Sequence, residues 1–152
     1  MKSARMLVRM FVFSAGLFAA SGAVHALEYR SVGAAPAVLY DAPSPKGRKV
    51  FVAPRGMPVE VVLTYGEWVK VRDMSGDLAW VQSRFLAPRR NVVVSAAGAR
   101  VRSAAEEAAP VVFTADKGVL LELVDPPIAG WARVRHRDGQ SGFVRAADVW
   151  GE

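Results

Sequence analysis

Hydrophobic and polar positions alternate along most of this chain with a period of two, the parity of a half-buried β-strand. In the segment 68–72, Val69 and Val71 share one face, while Trp68, Lys70 and Arg72 share the other. Val59-Glu60-Val61-Val62-Leu63 and Val119 to Val124 are β-branched or leucine-rich runs of strand length. Turn signals separate such runs: Asp73-Met74-Ser75-Gly76-Asp77, Arg137-Asp138-Gly139-Gln140, and Gly66 and Gly130 beside or just before a tryptophan. Pro43, Pro45, Pro54 and Pro58 discourage helix by removing backbone donors and fixing φ. Ser103 to Ala109 is rich in alanine and glutamate but too short to hold a helix alone, so it reads as a loop. The pattern predicts an all-β fold.

One stretch breaks the alternation. Met10 to Ala20 is an uncharged apolar run, preceded by Lys2, Arg5 and Arg9 and followed by Val24-His25-Ala26. A basic opening, a short apolar stretch and a small-residue exit form a secretory signal. Spanning a bilayer takes about 20 apolar residues, roughly twice this run. Residues 1–26 are therefore expected to be cleaved after Ala26. The product would be periplasmic or secreted, with no membrane span.

The remainder repeats itself. Leu39 stands seventeen residues before Gly56, and Val101 seventeen before Gly118. Trp68-Val69-Lys70-Val71-Arg72 matches Trp131-Ala132-Arg133-Val134-Arg135. Gly76 and Gly139 each follow their tryptophan by eight residues, and Trp80-Val81 and Phe143-Val144 follow those glycines by four. The offset is 62 up to the glycine and 63 from the tryptophan onward, which places one inserted residue in the turn between Asp125 and Gly130. Agreement at this many aromatic, glycine and apolar positions predicts two copies of one small domain. The copies are expected over residues 27–86 and 92–152, joined by a linker over 87–91. Domains of about 60 residues are small but can fold alone.

The Trp-x-Lys/Arg-Val strand, the Asp/Ser-Gly turn, the aromatic-Val pair and the closing apolar residue together resemble the bacterial SH3-like (Src-homology-3) family, twice over. The resemblance implies two tandem small SH3-like β-barrels, each strongly bent and five-stranded. It also implies cell-envelope binding roles, often beside a hydrolase that is not present in this sequence. Val38-Leu39-Tyr40-Asp41 is further similar to the Ala-Leu-Tyr-Asp opening of eukaryotic SH3 domains, whose aromatic groove holds extended peptides. The groove positions fall on Tyr40, Trp68, Trp80 and Phe85 in the first copy. In the second they fall on Arg102, Trp131, Phe143 and Asp148. Ala42 and Gln82 stand where that family has a second tyrosine and a proline, which points away from a proline-motif ligand. For Trp68 and Trp131, and for Trp80 and Phe143, packing and binding both remain open as roles.

Composition narrows the chemistry. The chain has no cysteine, which excludes disulfides and thiolate metal sites. Once His25 leaves with the signal, His136 is the one histidine, too few for a multi-histidine zinc site. It has no spaced acid and nucleophile as partners, and the adjacent Glu106 and Glu107 do not suit paired acid–base work across a substrate. No enzyme activity, cofactor or metal is expected. Removing Lys2, Arg5 and Arg9 lowers the net charge from +6 to +3, which argues against nucleic acid. Lys46, Arg48, Lys49 and Arg55 make the first long loop basic, where the second copy carries Glu106 and Glu107. The two loops are expected either to be solvated, to serve different partners or to attract one another. The expected function is a non-enzymatic binding module for a cell-wall component such as peptidoglycan. The alternative is a periplasmic adaptor binding a peptide segment of an envelope protein. The candidate groove residues are Tyr40, Trp68, Trp80, Phe85, Trp131 and Phe143.

Overall fold

The computed structural model describes residues 26–152, and the expected signal segment lies outside them apart from Ala26. The chain is all-β, as the alternation predicts. The first repeat comprises β1 (Glu28–Val32), β2 (Ala37–Tyr40), β3 (Lys49–Ala53), β4 (Pro58–Tyr65), β5 (Trp68–Arg72), β6 (Leu78–Gln82) and β7 (Leu86–Ala87). The second comprises β8 (Asn91–Val94), β9 (Ala99–Arg102), β10 (Val111–Ala115), β11 (Leu120–Ile128), β12 (Trp131–Arg135), β13 (Ser141–Arg145) and β14 (Val149–Trp150). One 3₁₀ turn precedes each closing strand, over Ser83–Phe85 and Ala146–Asp148. Among the described residues no helix is long and apolar enough to cross a membrane.

The two sheets have the same order: β3-β2-β6-β5-β4-β1-β7 and β10-β9-β13-β12-β11-β8-β14. Five strands and a closed barrel are the expectation corrected here. Each sheet has seven strands, and its end strands do not pair with each other. The physical reason lies in how each ladder ends. β7 stops after two residues at Pro88, which has no N–H to carry the ladder further. β14 stops at Gly151, whose φ of +109° turns the chain away.

Register shifts bend each sheet around its core, at Val61/Leu63 between β4 and β5 and at Leu123/Asp125 between β11 and β12. A further shift at Asp125/Ile128 absorbs the residue inserted in the second copy. The cores follow the predicted parity. Val69, Val71 and Val81 pack with Leu39 and Val59 in the first, and Val134 and Val144 with Val101 and Leu121 in the second.

The two sheets touch. Pro88 to Arg90 join β7 to β8, and Leu123 N–H closes onto the Arg90 carbonyl at 3.1 Å. The Asn91 side-chain amide donates to the Gly56 carbonyl at 2.9 Å, and its backbone N–H donates to Ser31 Oγ at 3.2 Å. Tyr29 meets Trp150 edge-on with ring centroids 5.2 Å apart, and the Arg90 guanidinium lies over Tyr29. Burial and the nearby Glu60 carboxylate raise the Tyr29 pKa. Gly151 is a packing glycine here, because a Cβ at this position would come within 2.9 Å of Pro58.

Candidate functional site

The register of the central strands assembles the candidate groove of the first repeat. Tyr40 on β2 stands opposite Trp80 on β6, and Trp68 on β5 stands opposite Gln82. These pairs put Tyr40 against Trp68, edge to face, with centroids 5.4 Å apart. Trp68 is only 8% exposed, yet it lies outside the valine core cluster. Parity therefore placed its face correctly. Exposure does not follow from that parity, because the outer face at this end of the bent sheet is covered. Tyr40 and Trp80 are half-buried and keep accessible surface. The Lys70 ammonium lies 5.8 Å from the centre of the Trp80 ring, within cation–π range. Phe85, in the 3₁₀ turn, packs partly on the core and carries the Arg84 guanidinium 4.7 Å over its ring.

The basic loop divides. Lys46 and Lys49 are exposed beside the β2–β3 connection, and Arg48 Nε reaches Asp41 Oδ2 at 3.3 Å. The Arg48 backbone N–H also donates to Asp41 Oδ1 at 2.8 Å, so Asp41 closes the base of the loop. Arg55 is not brought to the groove; it lines a cleft between the repeats.

The second repeat keeps the same register with different neighbours. Trp131 stands opposite Arg145, and Phe143 opposite Arg102. The Arg145 guanidinium lies over the Trp131 ring at 4.4 Å. Its Nε donates to Glu107 Oε1 at 2.6 Å, and Arg102 Nη2 reaches the other oxygen of Glu107 at 3.3 Å. Arg102 also donates to the Ala109 carbonyl at 2.9 Å. Glu107 thus ties its loop to Arg102 and to the guanidinium that stacks on Trp131, so charged groups neighbour the ring that Tyr40 neighbours in the first repeat. The acidic loop does not pair with the basic loop of the first repeat. The sequence singles out Glu107 only as a loop charge, and Arg145 not at all, although Arg145 sits at the Gln82 position of the internal repeat.

His136 pairs through Nδ1 with Asp138 Oδ1 at 3.0 Å. The Asp138 carboxylate accepts from the Gln140 backbone N–H at 2.9 Å and from its side-chain amide at 2.8 Å. With His136 alongside, those donors hold its pKa down to about 2. Hydrogen bonding to Arg135, and then to Arg89, lowers the pKa of Glu122 against the opposing effect of burial. Among the described residues no three His, Cys, Asp or Glu side chains gather as a metal site.

No curated protein matches this chain. Among solved structures it is similar to NlpC2 from Trichomonas vaginalis, at 13% identity and TM-score 0.39, over 84% of this chain and 49% of the other. It is similar to NlpC1 from Trichomonas vaginalis, at 14% identity and TM-score 0.39, over 88% and 49%. A NlpC/P60 family protein from Bacillus cereus ATCC 10987 aligns at 17% identity and TM-score 0.36, over 80% and 55%. The chain spans about half the length of these structures. The bacterial SH3 domain matches twice, over residues 33–88 and 95–151, and these matches cover most of the chain: the protein belongs to the bacterial SH3 domain family and carries two tandem copies.

Proposed function

We propose that this protein is an exported, non-enzymatic binding module that recognises a cell-wall component through the groove of its first repeat. One observation carries the reading: the equivalent aromatic positions of the two repeats have different charged neighbours. In the first, Tyr40 and Trp80 keep accessible aromatic surface, with Lys49 opposite Tyr40 on β3 and Lys70 at the Trp80 ring. In the second, Arg145 covers Trp131 and is tied to Glu107. Aromatic faces suit sugar rings or extended peptide, and peptidoglycan offers both. Neighbouring ammonium groups favour an anionic polymer.

The competing reading is an adaptor for a segment of another envelope protein. It draws on β3, the unpaired edge of the first sheet, where Val50, Phe51 and Val52 are exposed. Such an edge can accept a strand from a partner. Sedimentation with purified sacculi separates the two. A wall binder pellets with sacculi alone. A protein that stays in the supernatant until envelope extract is added is the adaptor.

A further inference from the structure

Between the repeats lies a cleft of about 680 Å³ that contains none of the groove aromatics. Its walls come from both repeats and their connection: Pro54 to Gly56 from the first, Arg89 from the junction, Val119 to Glu122 and Arg135 to Arg137 from the second. The charge it gathers is one-sided. Arg55, Arg89, Arg135 and Arg137 face one carboxylate, Glu122. Glu122 is already shared, with Arg89 Nη2 at 3.0 Å and Arg135 Nε at 3.2 Å. His136 on the same wall is occupied by Asp138. Among the described residues Arg55 and Arg137 make no ion pair and no side-chain hydrogen bond, so two guanidinium groups at one cleft lack a counter-charge.

Bringing guanidinium groups together without one costs free energy through mutual repulsion, and an anion in the cleft would remove that cost. Guanidinium is also the side chain best matched to phosphate and carboxylate, because its planar fork donates to two oxygens at once. The cleft exists only because the repeats are docked. Gly56, at φ +82°, lies under it, where a Cβ would come within 3.2 Å of the Asn91 side chain. The Asn91 hydrogen bond to the Gly56 carbonyl holds the two walls together.

We propose that this inter-repeat cleft is a second binding site, for the phosphate or carboxylate groups repeated along an anionic polymer, with Arg55 and Arg137 as its free donors. The site is independent of the aromatic groove. A chain crossing the cleft would be gripped by both repeats, which gives the tandem arrangement a role that neither copy has alone.

The test is calorimetric titration of the protein with short-chain inorganic polyphosphate and, separately, with polyglutamate. Two double variants are compared. R55Q/R137Q empties the cleft of its free guanidinium groups, while R100Q/K117Q removes the same charge from exposed positions that do not line it. The parent is expected to bind at least one probe. R55Q/R137Q should weaken that binding by about tenfold or more, the loss of charge-assisted contacts. R100Q/K117Q should weaken it by less than about threefold, as screened surface charge does. Preference for polyphosphate assigns phosphate as the ligand group, and preference for polyglutamate assigns carboxylate. Equal losses in the two variants, or a parent that binds neither probe, would overturn the site. Sacculus binding by R55Q/R137Q is recorded in parallel, so that failure of this site and failure of the groove are read separately.

Discussion

Arg145 lies 4.4 Å over the ring of Trp131, directly across the β12–β13 ladder, whereas Trp68 has Gln82 as its partner at the same place in the first repeat. A neutral amide neither stacks as a cation nor pairs with a loop carboxylate, so two equally buried tryptophans have different neighbours, Tyr40 edge-on in the first repeat and a paired guanidinium in the second.

The difference is transferable. Gln82→Arg should place a guanidinium beside Trp68 and obstruct the first groove. Gln82 is half-buried and accepts one exposed hydrogen bond from Arg84 Nε at 3.0 Å, so stability should fall by no more than about 1 kcal/mol. Affinity for sacculi should fall by about 1–2 kcal/mol, the range of a moderate interface loss. A variant that melts normally and binds as tightly as the parent would show that a cation at this position does not affect binding.

Docking of the repeats rests on few contacts, which makes it easy to weaken. Asn91→Ala removes the donor that satisfies the Gly56 carbonyl and should cost about 1–3 kcal/mol. Gly151→Ala must place a Cβ within 2.9 Å of Pro58 at a φ of +109°, and strain of this kind costs roughly 1–3 kcal/mol. Both variants should lower the melting temperature and enlarge the particle in small-angle scattering as the repeats separate. Unchanged scattering from both would mean that other contacts hold the repeats.

Acid should weaken the Asp138 turn of the second repeat. The folded pKa of Asp138 is depressed from 3.8 to about 2, and that of Glu122 is lowered by Arg135 and Arg89. A group whose folded pKa lies below its unfolded value contributes stability above the unfolded value and loses it as pH falls through the folded one. For Asp138 that window runs from pH 3.8 down to about 2. Asp138→Asn should therefore show a shallower fall in melting temperature across that window than the parent. Identical slopes would remove Asp138 from the account.

The repeat, the valine cores and the hairpin glycines were readable because each obeys a short period or a local rule. Val69 and Val71 alternate with charges, and Gly66 and Gly139 sit at positive φ in turns. What the sequence hid depends on distance. Glu107 and Arg145 are 38 residues apart, and neither charge carries a periodic signal. Gly142 shows the same limit. It occupies the position of Ala79 in the first copy, yet a Cβ there would come within 2.8 Å of Val101 Cγ1. Trp68 was placed on the correct face, but its burial arises from Tyr40, on a strand brought alongside only by the folded sheet.

Trp68 is too buried to test binding cleanly, since Trp68→Ala should cost about 3–5 kcal/mol of stability. Trp80 and Phe143 form the better pair. They occupy the same register position in the two repeats, opposite Tyr40 and Arg102, and both are half-buried. The decisive measurement is the affinity of Trp80→Ala and Phe143→Ala for purified sacculi, with a melting curve for each. The account predicts that Trp80→Ala loses about 2 kcal/mol of binding, on the order of 30-fold, while Phe143→Ala binds like the parent and melts no higher than Trp80→Ala. Undiminished binding by Trp80→Ala, or a greater loss in Phe143→Ala, would contradict it.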